Sequence, residues 1–141
     1  MGIEIRSLGA EKLEADGKQP RLGSELPEEA PMKLPNGDRA VVELAKLSDY
    51  CLNERHLRGR HKARVFASAL GITSEDAEVL QQRLLDAAAE EDATLGERDD
   101  YGQRYVLDFL MTGPKGSATV RSVWIVLENQ NAPRLLTCYV L

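Results

Sequence analysis

The sequence lacks the features of a secreted or membrane-spanning protein. Its apolar runs, such as residues 123–127, are only a few residues long, whereas a membrane-spanning helix needs roughly 20. The opening residues are rich in acids and contain no continuous apolar core, so they do not resemble a secretory signal. We therefore expect a cytoplasmic protein that has no membrane partner.

Cysteine and histidine are scarce, with two of each in 141 residues. Cys51 and Cys138 lie in apolar segments, and no set of cysteines and histidines has the spacing of zinc ligands. An intracellular chain of this length needs no disulfide for stability, so we expect two reduced, buried thiols, with a disulfide as the alternative. Neither a metal nor any other cofactor is expected.

The composition is that of a folded domain, with 43% hydrophobic and 29% charged residues. In residues 1–33, Gly, Pro and Glu are scattered without apolar periodicity, and this segment is predicted to be a flexible tail. Residues 34–141 are predicted to form a single α+β domain, because domains typically contain about 100 to 150 residues.

The first half of this domain has helical periodicity. Helices are predicted at residues 44–52 and 60–70, the second of which ends at Gly71. A third helix is predicted to begin after an N-cap at Thr73 and to end near Glu90.

From Ala93 onward the apolar period changes from 3.6 to 2, which indicates strands. Apolar residues alternate with other residues along 104–111, and the segments TGPKGS and ENQNAP are typical of turns between strands. The predicted fold is therefore α+β, with two to three helices followed by a roughly four-stranded antiparallel sheet in two layers.

Positive charge is concentrated in residues 55–64, which we call the cationic segment. The net charge of the chain is -5, yet this segment holds five cations, both histidines and no acid. Side chains of this kind at the start of a helix favour an anion such as phosphate. The alternatives are a solvated face or ion pairs with the acids of residues 75–78. Asp108, in an apolar strand, is expected to need a partner such as Arg121 or Arg104, and a structural ion pair is the simpler interpretation.

Four sequence segments resemble a family of uncharacterised bacterial domains. They are LNERHLRGRHKARVFASALGI, YGQRYVLDF, ATVRSVWIV and PRLLTCYVL, and the likeness extends over residues 34–141. The resemblance identifies a domain type and implies no activity.

At the level of fold, helices followed by an antiparallel sheet resemble the small ribonuclease toxins of the barnase, EndoU, colicin and RelE class. That likeness implies RNA cleavage without a metal, in which a base, an acid and cations act on the phosphodiester. The candidate catalytic residues are His61, Lys62, Arg64 and Arg121. The candidate substrate-binding residues are Arg58, Arg60, Arg104, Tyr101 and His56.

The expected partner is RNA or another phosphate-bearing ligand, together with an immunity or antitoxin protein. The alternative is a non-catalytic interaction module, such as an immunity protein or a phage accessory protein, that docks an acidic partner through the same helix. Residues 4–22 resemble the start of phage prohead proteases, which implies a phage or prophage origin.

Overall fold

The computed structural model describes residues 32–141, which form an α+β fold, as predicted. Helix α1 comprises Leu44–Lys46 and a π-helical turn at Leu47–Cys51, and helix α2 comprises Arg60–Val65 and a π-helical turn at Phe66–Leu70. Short 3-10 turns lie at Gly37–Arg39 and Ser74–Asp76. The remaining elements are β1 (Met32–Lys33), α3 (Ala77–Glu90), β2 (Asp92–Arg98), β3 (Gly102–Gly113), β4 (Gly116–Leu127) and β5 (Arg134–Val140).

The sheet has five strands in the order β1-β2-β3-β4-β5, and every neighbouring pair is antiparallel. The predicted count of four was one too low, because Met32 and Lys33 pair with Ala93 and Asp92. A two-residue strand is too short to show apolar alternation, and these residues fall in the predicted tail. The rest of that tail, residues 1–31, lies outside the described residues.

One face of the sheet packs against the helices and forms the core. Tyr105, Leu107, Phe109 and Met111 on β3 are buried, which confirms the predicted alternation. They share a cluster with apolar side chains from the helices and from the neighbouring strands, among them Phe66, Leu80, Leu84 and Trp124. The two layers of the predicted fold are therefore present.

The start of α3 has the predicted cap. Thr73 Oγ1 accepts a hydrogen bond from the Glu75 amide at 3.4 Å, and Asp76 Oδ2 accepts one from the Thr73 amide at 2.9 Å. This reciprocal pair is a capping box, which satisfies amides that the helix itself leaves without acceptors. Gly71, with φ of 74°, ends the preceding helical segment in the left-handed conformation that glycine adopts readily.

Close contact between α1 and the start of α2 fixes where the cationic segment lies. A Cβ atom added to Gly59 would lie 2.5 Å from the carbonyl oxygen of Tyr50, so only glycine allows this approach. Phe66, further along α2, is fully buried against the sheet. These two anchors hold the first turn of α2 beside β5. None of the helices in residues 32–141 has the length and apolar character that crossing a membrane requires.

Candidate functional site

Most side chains of the cationic segment point into solvent. Lys62 is half-buried, and the exposed members are Arg55, Arg58, Arg60, His61 and Arg64. Among residues 32–141, no carboxylate forms an ion pair with any of these cations, including the acids of residues 75–78. Within the described part of the chain, the segment therefore presents positive charge that no neighbouring acid neutralises.

Lys62 connects this segment to the sheet. Its Nζ atom lies 4.7 Å from the centroid of the Tyr139 ring on β5, within the range of a cation–π contact. Tyr139 lies opposite Arg121 on β4, and Arg121 lies opposite Asp108 on β3. We call Lys62, Tyr139, Arg121 and Asp108 the Lys62 row. Two predicted catalytic residues, Lys62 and Arg121, thus lie on either side of Tyr139.

Arg121 is fixed by a bidentate ion pair with Asp108. Arg121 Nε donates to Asp108 Oδ1, and Nη2 donates to Oδ2, both at 2.9 Å. These hydrogen bonds raise the pKa of the Arg121 guanidinium above its usual value. The pairing was foreseen as the simpler interpretation of Asp108. It uses Nε and Nη2 of the guanidinium, and Tyr139 on β5 also interacts with the guanidinium and adds to the rise of its pKa.

A cleft of about 810 Å³ lies beside the row and shares Lys62 with it. Its lining includes Lys46 and Tyr50 from α1, and His56 and Arg58 from the loop before α2. Thr137 of β5 also lines the cleft and adds a hydroxyl group to these side chains. The lining also contains two carboxylates, Glu43 and Asp49, and the first of them is engaged by Arg134 at 3.0 Å.

His56 is held in a single orientation in this cleft. Its Nδ1 accepts hydrogen bonds from the amides of Arg58 and Gly59 at 3.1 and 3.2 Å, and its ring meets that of Tyr50 edge-on at 4.7 Å. A ring nitrogen that accepts two hydrogen bonds carries no proton, so in the neutral ring the proton is on Nε2. His56 therefore offers a hydrogen-bond donor and suits the predicted role in substrate binding better than one in proton transfer.

The other predicted site residues lie outside the cleft lining. Arg60, His61 and Arg64 are on the exposed side of α2, in the same helical turns as Lys62. Arg104 pairs with Asp99, whose pKa it lowers through the side-chain hydrogen bond. Arg104 and Asp108 are four positions apart along β3, which corresponds to about 13 Å.

Tyr101 lies further along, in the turn before β3, and is 72% exposed. The structure thus brings His56, Arg58 and Lys62 together in the cleft and joins Arg121 to them through the row. It does not bring Arg104 or Tyr101 to them. Sequence reasoning missed Tyr139, although a polar aromatic residue near the end of the alternating C-terminal segment was an available signal.

The two cysteines are neighbours in the core between α1 and β5. Both are free and fully buried, as expected from the sequence. A hydrogen bond from the Cys138 thiol lowers the pKa of Cys51, and the same interaction raises the pKa of Cys138. Thr137, which lines the cleft, adjoins Cys51 and also lowers its pKa.

A search of curated proteins finds no match to this chain. The family match shows no resemblance to the ribonuclease toxins, so the likeness to those toxins at the level of fold stays a hypothesis. The predicted membership of an uncharacterised domain family is confirmed: the chain belongs to the family described as domain of unknown function DUF6883, whose profile matches residues 33–141.

Proposed function

We propose that this domain binds RNA through the cleft and the Lys62 row and cleaves a phosphodiester there without a metal. One observation carries the proposal, namely that Lys62 lines the cleft and also contacts Tyr139 in the row. A phosphate beside Lys62 would therefore meet cleft donors on one side and the oriented Arg121 on the other. The cationic segment extends the positive charge along α2, where further phosphates of the RNA would bind.

The reaction would proceed by attack of the ribose 2′-hydroxyl on the adjacent phosphorus. A base takes the hydroxyl proton, an acid protonates the departing 5′ oxygen, and the product is a 2′,3′-cyclic phosphate. His61, which is exposed beside Lys62 on α2, is the proposed proton-transfer group: it takes the 2′-hydroxyl proton and returns it to the departing 5′ oxygen. Lys62 and Arg121 would stabilise the charge that develops on the phosphoryl oxygens, and His56 Nε2 would donate a hydrogen bond that orients the substrate.

A second candidate is a non-catalytic module that docks an acidic protein. It is favoured by apolar side chains exposed beside the cations, since Leu57 is 80% and Val65 40% exposed. Apolar anchors surrounded by cations are typical of protein–protein contacts. RNA binding distinguishes this candidate from the first.

Binding of a fluorescent single-stranded RNA to the full chain should weaken steeply with salt. Each phosphate contact contributes about -0.7 to the slope of log affinity against log salt concentration, so three contacts give a slope of about -2. The double variant Arg58→Ala, Arg64→Ala should bind more weakly and show a shallower slope. Fluorescence anisotropy at several salt concentrations measures both quantities.

The matched control is Arg98→Ala, which removes an exposed arginine that pairs with Glu128 and lies outside the cleft lining. It should bind RNA like the wild type. A flat salt dependence, or equal losses in the control and in the double variant, would contradict a phosphate site at the cationic segment. Absence of RNA binding together with co-purification of an acidic protein would favour the docking module.

A further inference from the structure

Thr137 Oγ1 is a buried polar atom without a hydrogen-bond partner among residues 32–141. Buried hydroxyls in folded proteins are nearly always hydrogen-bonded, because an unmet donor loses its interaction with water and gains nothing in return. The Thr137 side chain adjoins the buried thiol of Cys51 and helps to lower the pKa of that thiol, but no oxygen or nitrogen atom of residues 32–141 is hydrogen-bonded to the hydroxyl. Within the described residues, no nitrogen or oxygen atom therefore compensates this hydroxyl for its lost hydration.

The position of Thr137 gives the hydroxyl a different use. Thr137 lines the cleft together with three cations and His56, against the two carboxylates Glu43 and Asp49, the first of which is paired with Arg134. Oγ1 is buried in the observed rotamer, and rotation about χ1 to another staggered position moves the hydroxyl away from that buried position. A ligand oxygen in the cleft would select the rotamer that presents Oγ1.

We infer that Thr137 Oγ1 is a ligand-binding donor that hydrogen-bonds a phosphoryl oxygen held beside Lys62. The inference rests on the proposed function, because that function supplies the phosphate, and it goes further by naming a donor on β5 for the phosphate that Lys62 holds. The ligand class is a phosphate mono- or diester, whose oxygens accept from a hydroxyl and an ammonium at once. Valine has nearly the same shape and an equal preference for strands, so only the hydroxyl distinguishes threonine at this position.

The test compares Thr137→Val with Thr137→Ser in the full chain. Thr137→Val should keep or raise the thermal midpoint without ligand, because it removes an unpartnered buried hydroxyl. It should also weaken the binding of inorganic phosphate and of RNA by about tenfold, the loss expected for one hydrogen bond to a charged group. Thr137→Ser retains a hydroxyl and should bind both ligands within about twofold of the wild type, on the same reasoning.

The matched control is Thr119→Val, a half-buried strand threonine outside the cleft lining, which should bind like the wild type. Calorimetric titration with inorganic phosphate and RNA anisotropy provide the readouts. Equal binding by Thr137→Val and the wild type would overturn the inference while the proposed function stands. A lower midpoint of Thr137→Val with unchanged binding would show that the hydroxyl is structural. A wild type that binds neither phosphate nor RNA would overturn both the inference and the proposed function.

Discussion

Phe66→Ala is expected to lower the free energy of unfolding by about 3 to 5 kcal/mol. Phe66 is fully buried and belongs to the cluster that joins α2 to the sheet. Removing the ring forfeits its burial and leaves a cavity, since close-packed neighbours relax only in part. The same change should loosen the attachment of α2 and therefore the placement of Lys62 over Tyr139. Denaturant unfolding followed by fluorescence of Trp124 measures the loss.

The control is Val65→Ala, one residue earlier on the same helix. Val65 is 40% exposed, so its truncation should change stability by no more than about 0.5 kcal/mol. A loss below about 1 kcal/mol for Phe66→Ala would show that the contact between α2 and the sheet is not what holds the helix in place.

Lys62→Met is expected to lower RNA cleavage by about 100-fold or more. Methionine keeps an unbranched side chain and removes the ammonium that would stabilise charge on the phosphoryl oxygens, and losses of this size follow removal of one such donor. The fold should remain, because the cation–π contact with Tyr139 contributes only about 0.5 to 1 kcal/mol. Initial rates at low substrate concentration measure the loss of cleavage, and the thermal midpoint measures any loss of stability.

Lys115→Met removes an exposed lysine in the turn between β3 and β4 and should cleave RNA like the wild type. Undiminished cleavage by Lys62→Met would eliminate Lys62 as a catalytic residue. Equal losses in the two variants would show that net charge, and not the position of Lys62, governs activity.

Local patterns predicted the fold well because they depend on neighbouring residues. The Thr73 and Asp76 capping box, the stop at Gly71 and the alternation along β3 all follow from spacings of a few residues. Strand β1 was missed because a strand of two residues is too short to show the alternation of apolar and polar residues. The π-helical turns that end α1 and α2 were also not foreseen, since both have ordinary helical composition.

The site was predictable only in part, because it depends on contacts between segments that are distant in sequence. Charge density singled out Lys62, and an acid in an apolar strand singled out Arg121 as its partner. The link between them, Tyr139, depends on the cross-strand register and on the reach of a lysine from α2 to β5. The role of His56 likewise depends on how the loop before α2 folds back, which places its Nδ1 against two amides. Arg104 and Asp108 occupy equivalent positions in the alternation of β3, and only the structure shows that Arg104 pairs with Asp99 in the turn between β2 and β3.

Cleavage of RNA by the wild-type chain in excess EDTA tests the proposed function most directly. Purified protein is incubated with an end-labelled RNA, and the products are resolved on a gel and analysed for their terminal groups. We expect fragments that end in a 2′,3′-cyclic phosphate, because attack by the 2′-hydroxyl forms that ring without a metal. RNA that stays intact in the presence of folded protein, or fragments that carry 5′-phosphates and form only when a metal is added, would contradict a metal-independent phosphodiester site at Lys62.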